Sequence, residues 1–291
     1  MLVFNRNFIF LDEPILTTSI DNTLKSITVI KNNNVLLSDT FMLQSSWVEM
    51  TRKNVRYYTN IPFEDKLTIN FWALEIEDVV TLVWDGKINT ITYIEGVKYT
   101  AKLLEFWVLH TFFPLVLELA NIYHILHVSA VQIKEKTILF SAYSGGGKST
   151  LTDYFIQKGH VVYGDDTIAI NEHKNNYEVI ASYPYHRPYR EPEVLGYPIV
   201  NFGTDVQTLS HIYQLEKSES NVDIQIIELS GVEKFEAIYQ SMFVTFENMK
   251  KERYLFATKM ATYVKVFRVS VPWDMERLEE VYQAILTHNG V

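Results

Sequence analysis

Thr137-Ile-Leu-Phe-Ser-Ala-Tyr-Ser-Gly-Gly-Gly-Lys-Ser-Thr150 decides the fold of this chain. An apolar run passes through three consecutive glycines and then turns at once into polar, helix-compatible sequence. Thr137–Ser141 has the content of a buried strand, and Leu151, Phe155 and Ile156 recur at the spacing of a helix's core face. The helix is expected over Lys148–Lys158, with Gly159 as its stop. Between strand and helix, Ala142–Ser149 follows the pattern G-x-x-x-x-G-K-[ST], with Ala142 where the first glycine usually stands. Gly145, Gly146 and Gly147 let a backbone wrap closely around an anion so that its N–H groups point inward. Lys148 adds a charge for the β- and γ-phosphates, and Ser149 offers a hydroxyl to Mg²⁺. The helix N-terminus favours the same anion. Ser144, Gly145, Gly146, Gly147, Lys148, Ser149 and Thr150 are therefore the expected nucleotide cradle, with ATP and Mg²⁺ as the expected cofactors.

On either side lie an expected strand at His127–Ile133, a turn at Lys134–Lys136 and a further strand at His160–Tyr163. Strand, helix and strand in that order predict a βαβ unit with parallel strands. Parallel strands finish at one sheet edge, where open α/β sheets bind ligands, so Gly164-Asp165-Asp166 is expected beside the loop. Two adjacent carboxylates there can divide the work. One accepts a proton from an attacking hydroxyl, and the other holds Mg²⁺ directly or through water. Away from a phosphate loop the same tripeptide reads as a polar turn. His127 by itself reads as a strand-end histidine. Tyr183–Arg190 reads equally as a proline-bounded surface loop or as a clamp, with Arg187 and Arg190, joined by His186, gripping a transferring phosphate or a substrate carboxylate.

His127-Val-Ser-Ala-Val131, Ser144-Gly-Gly-Gly-Lys-Ser-Thr150 and Gly159-His-Val-Val-Tyr-Gly-Asp-Asp166, in this order and spacing, resemble the core of HPr kinase/phosphorylase and its relatives. The likeness is closer to the HPr-kinase-related kinases of lasso-peptide and other ribosomal natural-product clusters. It extends in weaker form to His211–Leu215 and Val266–Pro272. The resemblance implies an ATP-dependent kinase acting on a serine hydroxyl of a peptide or protein, with a precursor peptide as substrate. It implies Asp165 as the base, Asp166 as its metal-side or supporting partner, and His127 as a neighbour orienting the pair. Glu193-Val-Leu-Gly196 is similar to the Glu-x-Arg-Gly signature whose glutamate helps hold Mg²⁺, but Leu195 stands in place of the arginine. That departure weakens HPr itself as the substrate and leaves any phosphorylase activity open. Two other classes stay open: a kinase of a small-molecule hydroxyl, and a regulatory protein that binds ATP without transferring phosphate. HPr kinases assemble into oligomers, which admits a homo-oligomer here, although no coiled coil or exposed apolar stripe carries it over.

The rest of the sequence sets bounds. With 291 residues and 47% hydrophobic content the chain can bury a sizeable core. A formal charge of −9 argues against a nucleic-acid partner. There is no cysteine, which removes disulfides and thiolate chemistry and fits a cytoplasmic location. The first residues lack a signal-peptide pattern, and the most apolar stretch, Leu103–Leu126, is broken by Glu105, His110, Pro114, Glu118, Asn121 and His124, so no membrane span is expected. The fold class expected is α/β, an HPr-kinase-like domain over residues 101–291 behind a smaller β-rich domain over residues 1–100. The smaller domain is a candidate peptide-substrate module by position and likeness alone. Its strands are expected at Phe8–Leu11, Ile27–Ile30, Lys66–Ala73, Val79–Trp84 and Ile88–Ile94, followed by a helix over Lys102–Ala120 that is kinked near Pro114.

Overall fold

The computed structural model describes residues 1–13, 21–32, 37–62, 69–143, 145–188 and 191–291. Two compact units divide the chain: Met1–Ile122 with Arg190–Leu195, and Tyr123–Tyr189 with Gly196–Val291.

In the first unit, strands Arg6–Phe10, Ser26–Lys31, Thr90–Glu95, Val80–Asp85, Phe71–Ile76 and Lys53–Thr59 lie side by side in one sheet. Their alternating or continuous apolar content puts Phe8, Val29, Leu82 and Tyr93 in the core. Asp85 turns the chain between two of these strands, its Oδ1 accepting a 2.9 Å bond from the Lys87 N–H. The strand expected from Lys66 begins at Phe71, and residues 66–68 lie outside the described ones. The helical stretch is three segments: α-helix Ala101–Phe106, π-helix Trp107–Phe112 and α-helix Phe113–Leu119. Pro114 opens the last of these. Because proline has no N–H and its ring crowds the carbonyl four residues back, the turn before it widens.

This stretch corrects the expected domain boundary. The sequence changes period near residue 100, yet the helices belong to the first unit. Their aromatic side chains pack on its sheet: Phe113 meets Phe8 edge-on at 4.6 Å between centroids, and Phe112 meets Trp72 at 4.8 Å. An apolar helix goes with whichever sheet buries it, and local periodicity does not reveal which sheet that is.

The second unit is built on strand Lys136–Ala142, which leads into the loop, and helix Lys148–Gln157, which follows it. Gly159 adopts φ +84° and ends the helix as expected. The strand after the helix is Val162–Gly164. It runs parallel to the loop strand but is not its neighbour, as a simple βαβ unit would have it. Strand Ser129–Ile133 lies between them, antiparallel to both. On its other side the loop strand pairs in parallel with Gln207–Ser218, which pairs in parallel with Lys265–Pro272. A hairpin, Ile168–His173 with Asn176–Ile180, follows the acidic pair and is not evident in the sequence pattern.

The inserted antiparallel strand matters for the site. Its start faces the ends of both neighbours: Ser129 lies opposite Phe140, and Ala130 opposite Gly164. The residues before and at its first position thus reach the sheet edge where loop and aspartates emerge.

Candidate active site

Around the loop the backbone takes conformations that suit glycine. Gly145 and Gly147 have φ of +79° and +87°. A Cβ on Gly146 would stand 2.9 Å from both the Ala142 Cβ and the Tyr143 carbonyl oxygen. The Gly146 N–H donates to that same carbonyl at 2.8 Å, closing the turn. Ser144 lies outside the described residues. Lys148 and Ser149 are the first helical residues and both are buried, with Thr150 partly so.

Lys148 points into the acidic pair. Its Nζ, on a side chain 2% exposed, lies 3.5 Å from Asp165 Oδ1 and 3.4 Å from Asp166 Oδ1. A buried ammonium requires such compensation. Each carboxylate has its own further partners. Ser129 Oγ donates to Asp165 Oδ1 at 2.7 Å, and the Arg187 backbone N–H donates to Asp165 Oδ2 at 3.3 Å. Asp166 Oδ2 accepts a 2.5 Å bond from the Arg187 guanidinium, and His127 Nε2 lies 3.4 Å from Asp166 Oδ1. After Lys148, then, Asp165 is held by neutral donors and Asp166 by Arg187 and His127.

The backbone supports this arrangement at some cost. Asp166 has φ +99°, a conformation that L-residues adopt rarely and that surrounding contacts must enforce. Gly164 leaves no room for a side chain, since a Cβ there would lie 2.2 Å from Ser182 Oγ. Tyr183 is buried beneath the pair, and burial, reinforced by the Asp166 charge, raises its phenol above the usual range.

The structure therefore brings together Lys148, Asp165, Asp166, His127 and Arg187 from the expected set. His186 stands apart from them, its Nδ1 3.5 Å from Asp153 on the loop helix. Arg190 lies outside the described residues. Glu193 falls in the first unit, where its carboxylate accepts from Trp107 Nε1 at 2.8 Å and lies 3.4 Å from Lys53 Nζ. Ser129 is the site residue that sequence reasoning missed. Two positions after His127, it shares that residue's side of an extended chain, and that period was the available signal.

A cleft of about 160 Å³ opens beside His127, lined also by Ser141, Ala142, Tyr143, Gln214 and Gln240. The Ser141 hydroxyl is buried there without a hydrogen-bond partner. The oxygen donors of Ser149 and Asp166 suit a hard cation such as Mg²⁺, which takes few protein ligands and keeps several waters. Among the described residues, no helix is long and apolar enough to cross a membrane.

No protein-family model matches the chain, and neither does any curated protein. Among solved structures it is similar to the HPr(Ser) kinase/phosphatase from Coxiella burnetii, at 11% identity. That likeness covers 57% of this chain and 95% of that one, with a TM-score of 0.35.

Proposed function

We propose that this chain is a Mg·ATP-dependent kinase that transfers the γ-phosphate to a hydroxyl. One observation carries the reading: a glycine loop delivers a buried lysine to within 3.5 Å of two adjacent buried carboxylates. A loop with no ligand has no use for a lysine sunk between two acids. A phosphoryl-transfer site needs all three groups, the cation for the phosphates and the acids for proton and metal.

In this reading the triphosphate draws Lys148 onto its β- and γ-oxygens. Asp165 then faces the phosphates across Lys148 and, among the described residues, has Ser129 and a backbone N–H as its other donors, whereas Asp166 keeps Arg187 and His127. The carboxylate not tied to a guanidinium is the one available to meet the acceptor hydroxyl. Asp165 takes the acceptor's proton, and Asp166 with Ser149 serves the Mg²⁺ side. Mg²⁺, when bound, neutralises charge on the phosphates. Arg187, held on Asp166, would add a second positive charge for the transferring phosphate. We assign the acceptor as a serine on a peptide or protein, and specifically a ribosomal natural-product precursor of the lasso type. This rests on the sequence resemblance, and we take the reaction to run in the cytoplasm, as the cysteine-free sequence suggests.

An intact-mass phosphorylation assay tests the reading. The protein is mixed with Mg·ATP and serine-containing precursor peptides encoded beside its gene, with Lys148→Ala as the blank. One added phosphate on a peptide, absent with the blank, is the expected result. No gain on any peptide, with Mg·ATP still bound, would remove the peptide assignment.

A further inference from the structure

The loop borders two different clefts, one at each end. The polar cleft beside His127 meets the loop at Ala142 and Tyr143. A second cleft, about 180 Å³, meets it at Gly147 and Thr150 and runs on over Leu151, Val271 and Leu278 to Trp273. We propose that this apolar cleft holds the base of the nucleotide, stacked on Trp273. The phosphate chain then follows the loop from its Gly147 end, and the terminal phosphate points at Asp165, Asp166 and His127. This rests on the nucleotide reading of the loop and adds the direction in which the ligand lies.

Three features support the occupant. The first is contiguity: a phosphate chain held by the loop amides must carry its organic part out past one end of the loop. The end at Ala142 and Tyr143 opens on a cleft lined by His127, Gln214, Gln240 and Ser241, and the end at Gly147 opens on an apolar one. A flat aromatic ring belongs in the second. Next comes the indole itself. Trp273 follows strand Lys265–Pro272, its backbone N–H donating to the Ser218 carbonyl at 3.1 Å. It is 49% exposed, with Lys217 Nζ 4.2 Å from the ring centroid. Its edge lies against the loop, since a Cβ on Gly147 would be 3.5 Å from the Trp273 ring. Last is the charge. Asp274 at the cleft is already engaged, its Oδ1 accepting from the Glu276 N–H at 3.0 Å, so the lining offers stacking and few fixed polar groups. Stacking tolerates any base. The cleft is therefore expected to take adenine and guanine nucleotides within a few-fold of each other.

The test is calorimetric titration of the full chain with Mg·ATP, Mg·GTP and Mg·tripolyphosphate. Trp273→Ala is expected to weaken both nucleotides on the order of tenfold. It should leave tripolyphosphate unchanged, and Trp273→Phe should recover most of the loss. Wild type binding tripolyphosphate as tightly as ATP would overturn the base site and leave the loop reading intact. Trp273→Ala weakening nothing, or weakening tripolyphosphate equally, would overturn it too. Wild type binding neither ATP nor tripolyphosphate would instead remove the loop reading, and this inference with it.

Discussion

Replacing Asp165 by Asn takes one negative charge from the point where the terminal phosphate has to sit. Lys148 Nζ is 3.5 Å from Asp165 Oδ1, and a phosphate oxygen gripped by that ammonium lies about 2.8 Å beyond it. Phosphate and carboxylate charges are then about 6 Å apart by this addition of charge-assisted bond lengths. At an effective dielectric of about 20 such a pair repels by about 3 kcal/mol. The variant is also relieved of part of the attraction that keeps Lys148 on the acids in the free protein, which acts in the same direction. Mg²⁺-free ATP should therefore bind Asp165→Asn up to roughly a hundredfold more tightly than wild type. With Mg²⁺ present the gap should narrow, because the cation already offsets the repulsion. Turnover with Mg²⁺ should fall by roughly two to four orders of magnitude with the base gone. Asn costs some stability: its oxygen can accept from Ser129, but its NH₂ then faces the Arg187 N–H, and one orphaned donor costs about 1–3 kcal/mol. Calorimetric titration in EDTA and in excess Mg²⁺, with the intact-mass assay alongside, reads all of these. An Mg²⁺-free affinity equal to wild type would show that Asp165 does not face the phosphates, and wild-type turnover would show that it is not the base.

Two further outcomes follow from the second unit. Gly164→Ala puts a Cβ 2.2 Å from Ser182 Oγ and 2.7 Å from Ile168 Cδ1, immediately before the acidic pair. It should destabilise by about 1–3 kcal/mol and displace Asp165 and Asp166; a native melting temperature together with native turnover would sink that account. His211 is 7% exposed, and burial, with His288, Lys136 and Lys265 adding to it, pushes its ring down to about 4. The unfolded chain protonates this group near pH 6.5 and the folded one only near 4, so the unfolded state binds more protons in between. Stability is therefore full above pH 6.5 and falls as pH drops toward 4, by about 3 kcal/mol from this group. His211→Phe, which keeps the edge-on contacts to Tyr213 and Phe267, should flatten the melting temperature between pH 7 and 4.5. An unchanged slope would show that another group governs it.

The loop, the helix behind it, the strand before it and the acidic pair are local in sequence, and each follows from short-range rules. Three glycines give the wrap, an amphipathic period gives the helix and Gly159 gives its end. That Asp165 and Asp166 emerge at the same edge as the loop was also legible, because parallel strands finish together. What the sequence left undecided depends on pairings between distant segments. Nothing in Ser129–Ile133 says that it will slide between two parallel strands, yet this insertion delivers His127 and Ser129 to the acids. Nothing in the Tyr183–Arg190 stretch says that Arg187 will reach the acids, and the tertiary structure brings its backbone N–H to Asp165 and its guanidinium to Asp166. The positive φ of Asp166 is enforced by contacts from several segments, and no residue pattern encodes it. The helices after residue 100 carry an apolar surface readable from sequence, but only packing decided that the N-terminal sheet would cover it. Sequence fixes what a segment can do by itself. Which segments meet is decided by the burial that the whole chain achieves.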